Sequence, residues 1–214
     1  MRLGFLGGTF DPIHIGHLDV AEAARQALGL DRVMLVPANV PPHRAAPHAS
    51  AAHRFAMVAL AIQDHQALTV SDLEMLSDEP AYTSATLDRL SARGFDVGAL
   101  FLITGADAFR DIATWKHYPQ ILDRCQFAVV SRPGTPAASI RTSLPELATR
   151  MIDAPGSWDV GSRPHIVLID APTASVSSTD VRHRAAAGQS IHSLVPAAVA
   201  AHIQRHELYG QAPR

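Results

Sequence analysis

The sequence predicts an α/β fold: a Rossmann-like parallel sheet with helices on both faces and further helices toward the C-terminus. Three observations carry this. Short apolar runs rich in β-branched residues alternate with helical segments, as crossover units around a parallel sheet require. Those runs are mostly apolar at consecutive positions, which fits strands covered on both faces. The length of 214 residues, 47% of them hydrophobic, is enough for one sizeable core, so residues 1–214 are read as a single domain.

In chain order, strands are expected at residues 3–6, 32–36, 68–71, 99–104, 127–131 and 165–169. Helices are expected at 17–28, 51–63, 84–92, 107–114, 118–123, 144–152, 178–187 and 196–207. Gly29, Gly94 and Gly188 fall where helices should end, supplying the left-handed C-cap. The proline-rich stretches 37–47 and 132–136 follow strands, which makes them binding loops at the carboxyl edge of the sheet.

Composition narrows the function. Eighteen basic residues against twenty acidic ones leave a net charge of -2, too balanced for a protein that neutralises many nucleic-acid phosphates. No apolar run approaches the roughly 18 residues that cross a bilayer. Cys125 is alone, so no internal disulfide forms, and the opening MRLGFLGGTF turns at Gly-Gly before a secretion-length apolar run develops. A cytoplasmic protein with small ligands is expected. Seventeen arginines accompany a single lysine, Lys116, an imbalance that at this level reads as genome composition.

The chemistry concentrates at two places. A strand leads into Gly7-Gly8-Thr9-Phe10-Asp11-Pro12-Ile13-His14-Ile15-Gly16-His17 and then an amphipathic helix. Glycines let the backbone approach a ligand, and a helix start offers amides and a dipole to an anion. His14 and His17, three apart, can lie on one side of the first turn and converge on a phosphate chain, with Gly16 leaving room for it. The spacing is neither the dinucleotide fingerprint nor the P-loop. The pair can also be an incidental feature of a hydrogen-bonded turn, or part of a zinc site, although the further ligands zinc needs are not apparent. The second place is Ser177-Ser178-Thr179-Asp180-Val181-Arg182, where a hydroxyl can cap a helix and Arg182 offers a planar fork to phosphate.

Together these segments resemble the nucleotidyltransferase superfamily, whose G-x-F-D-P-x-H-x-G-H and S-S-T-x-x-R motifs jointly hold the ATP triphosphate. The loops between them are similar to bacterial nicotinate-nucleotide adenylyltransferases. They are Pro37-Ala38-Asn39-Val40-Pro41-Pro42-His43-Arg44, Tyr82-Thr83 with Thr86-Leu87, Gly105-Ala106-Asp107 with Trp115, Val130-Ser131-Arg132-Pro133-Gly134, and the closing Val195-Pro196 with His206-Glu207-Leu208-Tyr209. Arg44 stands where lysine is usual.

The resemblance implies a nucleotidyltransferase-type sheet and transfer of the adenylyl group of ATP to nicotinate mononucleotide in NAD biosynthesis, giving nicotinate adenine dinucleotide and pyrophosphate. It implies magnesium carried with ATP, no resident metal, no nucleic acid or membrane partner, and allows a homo-oligomer. His14, His17 and Arg182 are the implied catalytic residues. Gly7, Gly8, Thr9, Phe10, Gly105, Asp107, Arg132, Ser177, Ser178 and Thr179 are implied for ATP, and Asn39, His43, Arg44, Tyr82, Thr83 and Trp115 for the mononucleotide, with the pyridine ring on Trp115 and backbone amides around Tyr82-Thr83 receiving its carboxylate. From the residues alone, Trp115 can instead be core, Asp107 a helix N-cap and Arg132 a solvated loop residue. Cys125 reads as an inert core thiol, and the remaining histidines, including His48, His53, His65, His165, His183, His192 and His202, as structural or solvated. Two other readings stay open: an adenylyltransferase for nicotinamide mononucleotide or phosphopantetheine, and a nucleotide-binding module or metal phosphohydrolase that transfers nothing.

Overall fold

Seven strands make one parallel sheet in the order β3-β2-β1-β4-β5-β7-β6. They are β1 (Leu3–Gly8), β2 (Arg32–Pro37), β3 (Leu68–Val70), β4 (Phe101–Gly105), β5 (Gln126–Val130), β6 (Met151–Asp153) and β7 (Ile166–Ile169). The structure is a computed structural model and describes residues 2–42, 46–154 and 164–210.

Side chains alternate across a strand, and both faces are buried here. Leu6, Ile103, Ala128, Val130 and Val167 pack into one cluster with Leu18, Met57, Val181 and Val199. Those last four come from α1 (Ile15–Leu28), α2 (Ala51–Ala61), α6 (Ser178–Ala186) and α7 (Ala197–Arg205). Phe5, Leu102, Phe127, Val129 and Leu168 pack into the other cluster with Leu87, Phe109 and Ile140. These belong to α3 (Thr83–Ala92), α4 (Ala106–Phe109) and α5 (Ile140–Ser143). Two-sided burial is the reason the strand segments read as mostly apolar runs.

Gly29, Gly94 and Gly188 hold φ of 59°, 84° and 66°, the left-handed stops expected of them. The expected helix at 144–152 is a correction. Residues Pro145–Arg150 form a 3-10 turn and Met151–Asp153 join the sheet as its edge strand, pairing with β7. The Arg141 guanidinium donates to the Asp153 carboxylate at 2.8 Å and ties that edge down, so strand pairing prevails over a helical pattern of only moderate propensity. The helix expected at 107–114 is the short α4 followed by a 3-10 turn, Ile112–Thr114, and the one expected at 118–123 is the 3-10 turn Gln120–Asp123.

The position of β1 decides where a ligand goes. The chain passes from β1 to β2 and β3 on one side, then returns to β4 on the other. This reversal opens a crevice above the carboxyl ends of β1 and β4, the place where open α/β sheets bind ligands.

Candidate active site

A cavity of about 600 Å³ fills that crevice. It is lined by Gly7, Gly8, Thr9, Phe10 and His17 from the β1–α1 connection, and by Gly105 and Asp107 where β4 meets α4. Arg132 enters after β5, Ser178 and Arg182 from α6, and Tyr82, Thr83 and Trp115 from the other face of the sheet. Thirteen sequence-predicted residues therefore converge from segments far apart in the chain. Asn39 does not, since its amide donates to the Ser77 carbonyl at 2.9 Å. Ser177 caps α6, accepting from the Asp180 amide at 3.0 Å, and borders an adjacent cavity of about 290 Å³ shared with Asp107 and Arg132. Thr179 accepts from the Arg182 guanidinium at 3.2 Å. His43 and Arg44 lie outside the described residues.

The glycines do separate jobs. A Cβ on Gly7 would meet no protein atom within 4 Å, so this is the position where the backbone faces the cavity bare. A Cβ on Gly8 would press on the buried Phe10 ring at 2.9 Å. Phe10 itself holds φ of 48°, unusual for a bulky residue, and its ring makes an edge contact with His17 at 5.0 Å. Gly16 leaves room, though for protein: a Cβ there would meet Arg132 Nη1 at 3.0 Å, the Ala174 carbonyl at 3.1 Å and His14 Cε1 at 3.3 Å.

The two histidines are stacked, with ring centroids 3.7 Å apart and planes 23° from parallel. His17 lines the cavity. His14 lies beneath it, 2% exposed, as the N-cap of α1. The His14 amide donates to His17 Nδ1 at 3.3 Å, which places the proton of neutral His17 on Nε2. The first amide of α1, on Ile15, is committed to the Leu194 carbonyl at 3.0 Å, so this helix start offers fewer free donors than its sequence suggests.

Burial, and secondarily the nearby Arg132 guanidinium, hold the His14 imidazole down from 6.5 to about 4. His14 is therefore neutral at pH 7, and its Nδ1 is buried with no hydrogen-bond partner among the described residues. The linkage follows. A histidine whose folded pKa lies below its unfolded one stabilises the fold above the unfolded value and loses that contribution as pH falls. Stability should drop by about 3 kcal/mol between about pH 6.5 and 4, at 1.36 kcal/mol per unit. Urea unfolding across that window should show the decline, and in His14→Gln the decline should flatten; an equally steep Gln variant assigns it to other groups.

The two motifs read from sequence bind each other. Arg182 Nη1 donates to the Asp11 carbonyl at 2.7 Å, and the Ser178 hydroxyl donates to the Pro12 carbonyl at 2.9 Å. Arg132 donates to the carbonyls of Gly16 at 3.1 Å and Val176 at 3.5 Å. On the far side, the Tyr82 amide donates to the Pro80 carbonyl at 2.8 Å. The first open amide near Tyr82-Thr83 is thus that of Thr83, which opens α3 and has no intrahelical partner. Trp115 packs on the core and also borders the cavity. Cys125 is fully buried, its thiol pushed up to about 12 by burial.

Sequence reasoning missed several participants. Arg54, 1% exposed, donates to the carbonyls of Thr9 at 2.7 Å, Ala38 at 2.6 Å, Asn39 at 3.2 Å and Ala49 at 3.3 Å. The Asp11 carboxylate accepts from the amides of His48 and Ala49 at 2.8 and 3.0 Å and from the Tyr209 hydroxyl at 2.8 Å. Burial and the Asp11 charge raise the Tyr209 phenol far above its ordinary value. His48 lines the cavity, and so does Glu74, a buried carboxyl raised by burial that accepts from the Thr86 hydroxyl. Only the quoted Asp11 and the closing Tyr209 were visible as motif letters.

A parallel sheet whose switch point opens onto a bare glycine, a cavity-lining histidine and two arginines defines a nucleotidyltransferase, and residues 5–184 match the family model described as Cytidylyltransferase-like. Among curated relatives, a "Probable nicotinate-nucleotide adenylyltransferase" of Roseiflexus sp. is 43% identical over 97% of each chain. Another of the same name, from Pseudomonas fluorescens, is 39% identical over 97% of each. The chain belongs to the nicotinate-nucleotide adenylyltransferase family. The fold also matches the Plasmodium falciparum nicotinic acid mononucleotide adenylyltransferase complexed with NaAD, with a TM-score of 0.74 at 18% identity, covering 97% of this chain and 96% of that one. No helix among the described residues is long and apolar enough to cross a membrane.

Proposed function

We infer that the cavity above β1 and β4 is where this chain transfers the adenylyl group of ATP to nicotinate mononucleotide, forming nicotinate adenine dinucleotide and pyrophosphate in NAD biosynthesis. The observation that carries the assignment to this cavity is the convergence of Gly7, His17, Arg182, Thr83 and Trp115 on one space. ATP lies with its phosphates over Gly7, Gly8 and Thr9, flanked by His17, Ser178 and Arg182. Asp107 and Arg132 face its nucleoside end, with Ser177 and Thr179 shaping the start of α6. Magnesium enters with ATP as part of that substrate. The enzyme works in the cytoplasm.

The nucleophile is the phosphate monoester of the mononucleotide, already mostly a dianion at pH 7. Its oxygen forms a bond to the α-phosphorus, the bond from that phosphorus to the bridging oxygen breaks, and pyrophosphate departs with the electron pair. No general base is needed. Catalysis comes from alignment and from donors aimed at charge that develops on the transferring and leaving groups. His17 Nε2–H and the Arg182 fork are such donors. Neutral, buried His14 sets the His17 ring from below.

Pyrophosphate release tests the reading, with ATP and each of nicotinate mononucleotide, nicotinamide mononucleotide and phosphopantetheine. The acid should be used best. A faster amide or phosphopantetheine reaction overturns it, and no release with any acceptor leaves a module that binds without transfer. For the pyridine end, Trp115→Ala should remove a stacking contact worth roughly 1–3 kcal/mol. KM for the mononucleotide should rise about ten- to a hundredfold, with KM for ATP little changed. A rise confined to ATP would move Trp115 to the adenine side.

A further inference from the structure

The chain's single lysine is not an accident of composition if its place in the cavity is considered. Lys116 follows Trp115 directly and borders the same end of the cavity as Tyr82 and Thr83. Its ammonium sits 4.6 Å from the centroid of the Tyr82 ring, within cation–π range. The other two full cations among the described lining residues are tethered: Arg132 to the carbonyls of Gly16 and Val176, Arg182 to Asp11 and Thr179. Lys116 makes no hydrogen bond and no ion pair among the described residues. The acidic residue on that side, Glu74, is turned to the Thr86 hydroxyl.

The single open amide of Thr83 discriminates poorly between a carboxylate and a carboxamide, because the carboxamide's carbonyl oxygen can rotate onto one donor. A formal positive charge reads the formal charge of the substituent, whichever way it rotates. It also costs little to bring there, since the Tyr82 ring already holds the ammonium.

We propose that Lys116 is a specificity-determining residue, its ammonium carried on the Tyr82 ring to face the pyridine carboxylate and favour the acid over the carboxamide. This rests on the mononucleotide occupying the Tyr82–Trp115 end of the cavity. The test uses the full chain as wild type, Lys116→Gln and Lys116→Arg. For each, kcat/KM is measured with nicotinate and nicotinamide mononucleotide, with KM for ATP and far-UV circular dichroism as controls. Lys116→Gln should lower kcat/KM for the acid about tenfold, the order expected for losing a charge-assisted contact, and leave the amide unchanged. Lys116→Arg should restore most of the ratio. Because the ammonium is solvent-accessible, the wild-type ratio should fall with added salt and the Gln variant's should not.

Equal losses on acid and amide, or an unchanged ratio in Lys116→Gln, overturn the proposal. The reading beneath it fails separately, through the wild type alone, if that enzyme does not prefer the acid.

Discussion

Replacing His17 with alanine should lower turnover by about a hundredfold or more while the fold survives. The expected loss corresponds to about 3 kcal/mol of transition-state stabilisation, the size seen when one oriented donor is removed from a developing oxyanion. The side chain borders the cavity, so its loss empties space already open to ligand and leaves no sealed core void. Its orientation is set twice, by the His14 amide on Nδ1 and by stacking on the His14 ring. A donor held in this way is expected to need no rearrangement as charge moves to pyrophosphate. Steady-state kcat and thermal unfolding of the same preparation decide the matter. A folded variant with near-normal kcat would sink the assignment of His17, and a fall in kcat accompanied by unfolding would place its contribution in the β1–α1 turn instead.

The sheet was legible because its strands are buried on both faces. A run such as residues 127–130 or 166–169, apolar at every position, has few other uses in a chain of this length. β6 escaped because it is three residues long, follows a proline-led turn and borrows its identity from the β7 backbone beside it. The short turns at 112–114 and 120–123 fell within segments read as helices, 107–114 and 118–123, because their apolar spacing is helical; Ile112 and Ile121 are buried in the cluster of Leu102 and Phe127.

The site divides in the same way. Gly7, His17, Ser178 and Arg182 were visible because phosphate chemistry demands particular residue types at fixed local offsets. The stacking of His14 under His17 was not, since three-residue spacing places two rings on one side of a turn without saying which is above. Arg132 looked like a loop residue; only the fold brings its guanidinium over Gly16, where the missing Cβ admits it. Lys116 carried no local pattern at all, and its meaning comes from what stands across the cavity.

Arg54 is the extreme case of this, and its removal should have the largest effect on stability. In sequence it is one polar residue in a helical run between Ala51 and Ala61. In the fold its guanidinium is fully enclosed and donates to four main-chain carbonyls, joining the loop after β1 to the loop after β2. Burial lowers its pKa, yet a guanidinium stays charged, so the cation needs those carbonyls and the nearby Asp11 charge. Asp11 in turn binds the amides of His48 and Ala49 and the Tyr209 hydroxyl. One buried cation and one buried anion thus hold three separate chain segments around the Gly7–Thr9 end of the cavity. Arg54→Ala leaves carbonyls without donors, at about 1–3 kcal/mol for each that water cannot reach, and leaves the Asp11 charge less compensated. The expected loss is about 3–5 kcal/mol in urea unfolding. Arg54→Lys should fold, because it keeps the charge, but a single ammonium cannot span carbonyls on both loops. KM for ATP should then rise while kcat at saturation falls less, as expected when loops are misplaced and the reacting donors remain. An Arg54→Ala protein within about 1 kcal/mol of wild type would show that the loops are held by their other contacts, and that the guanidinium only fills space between them.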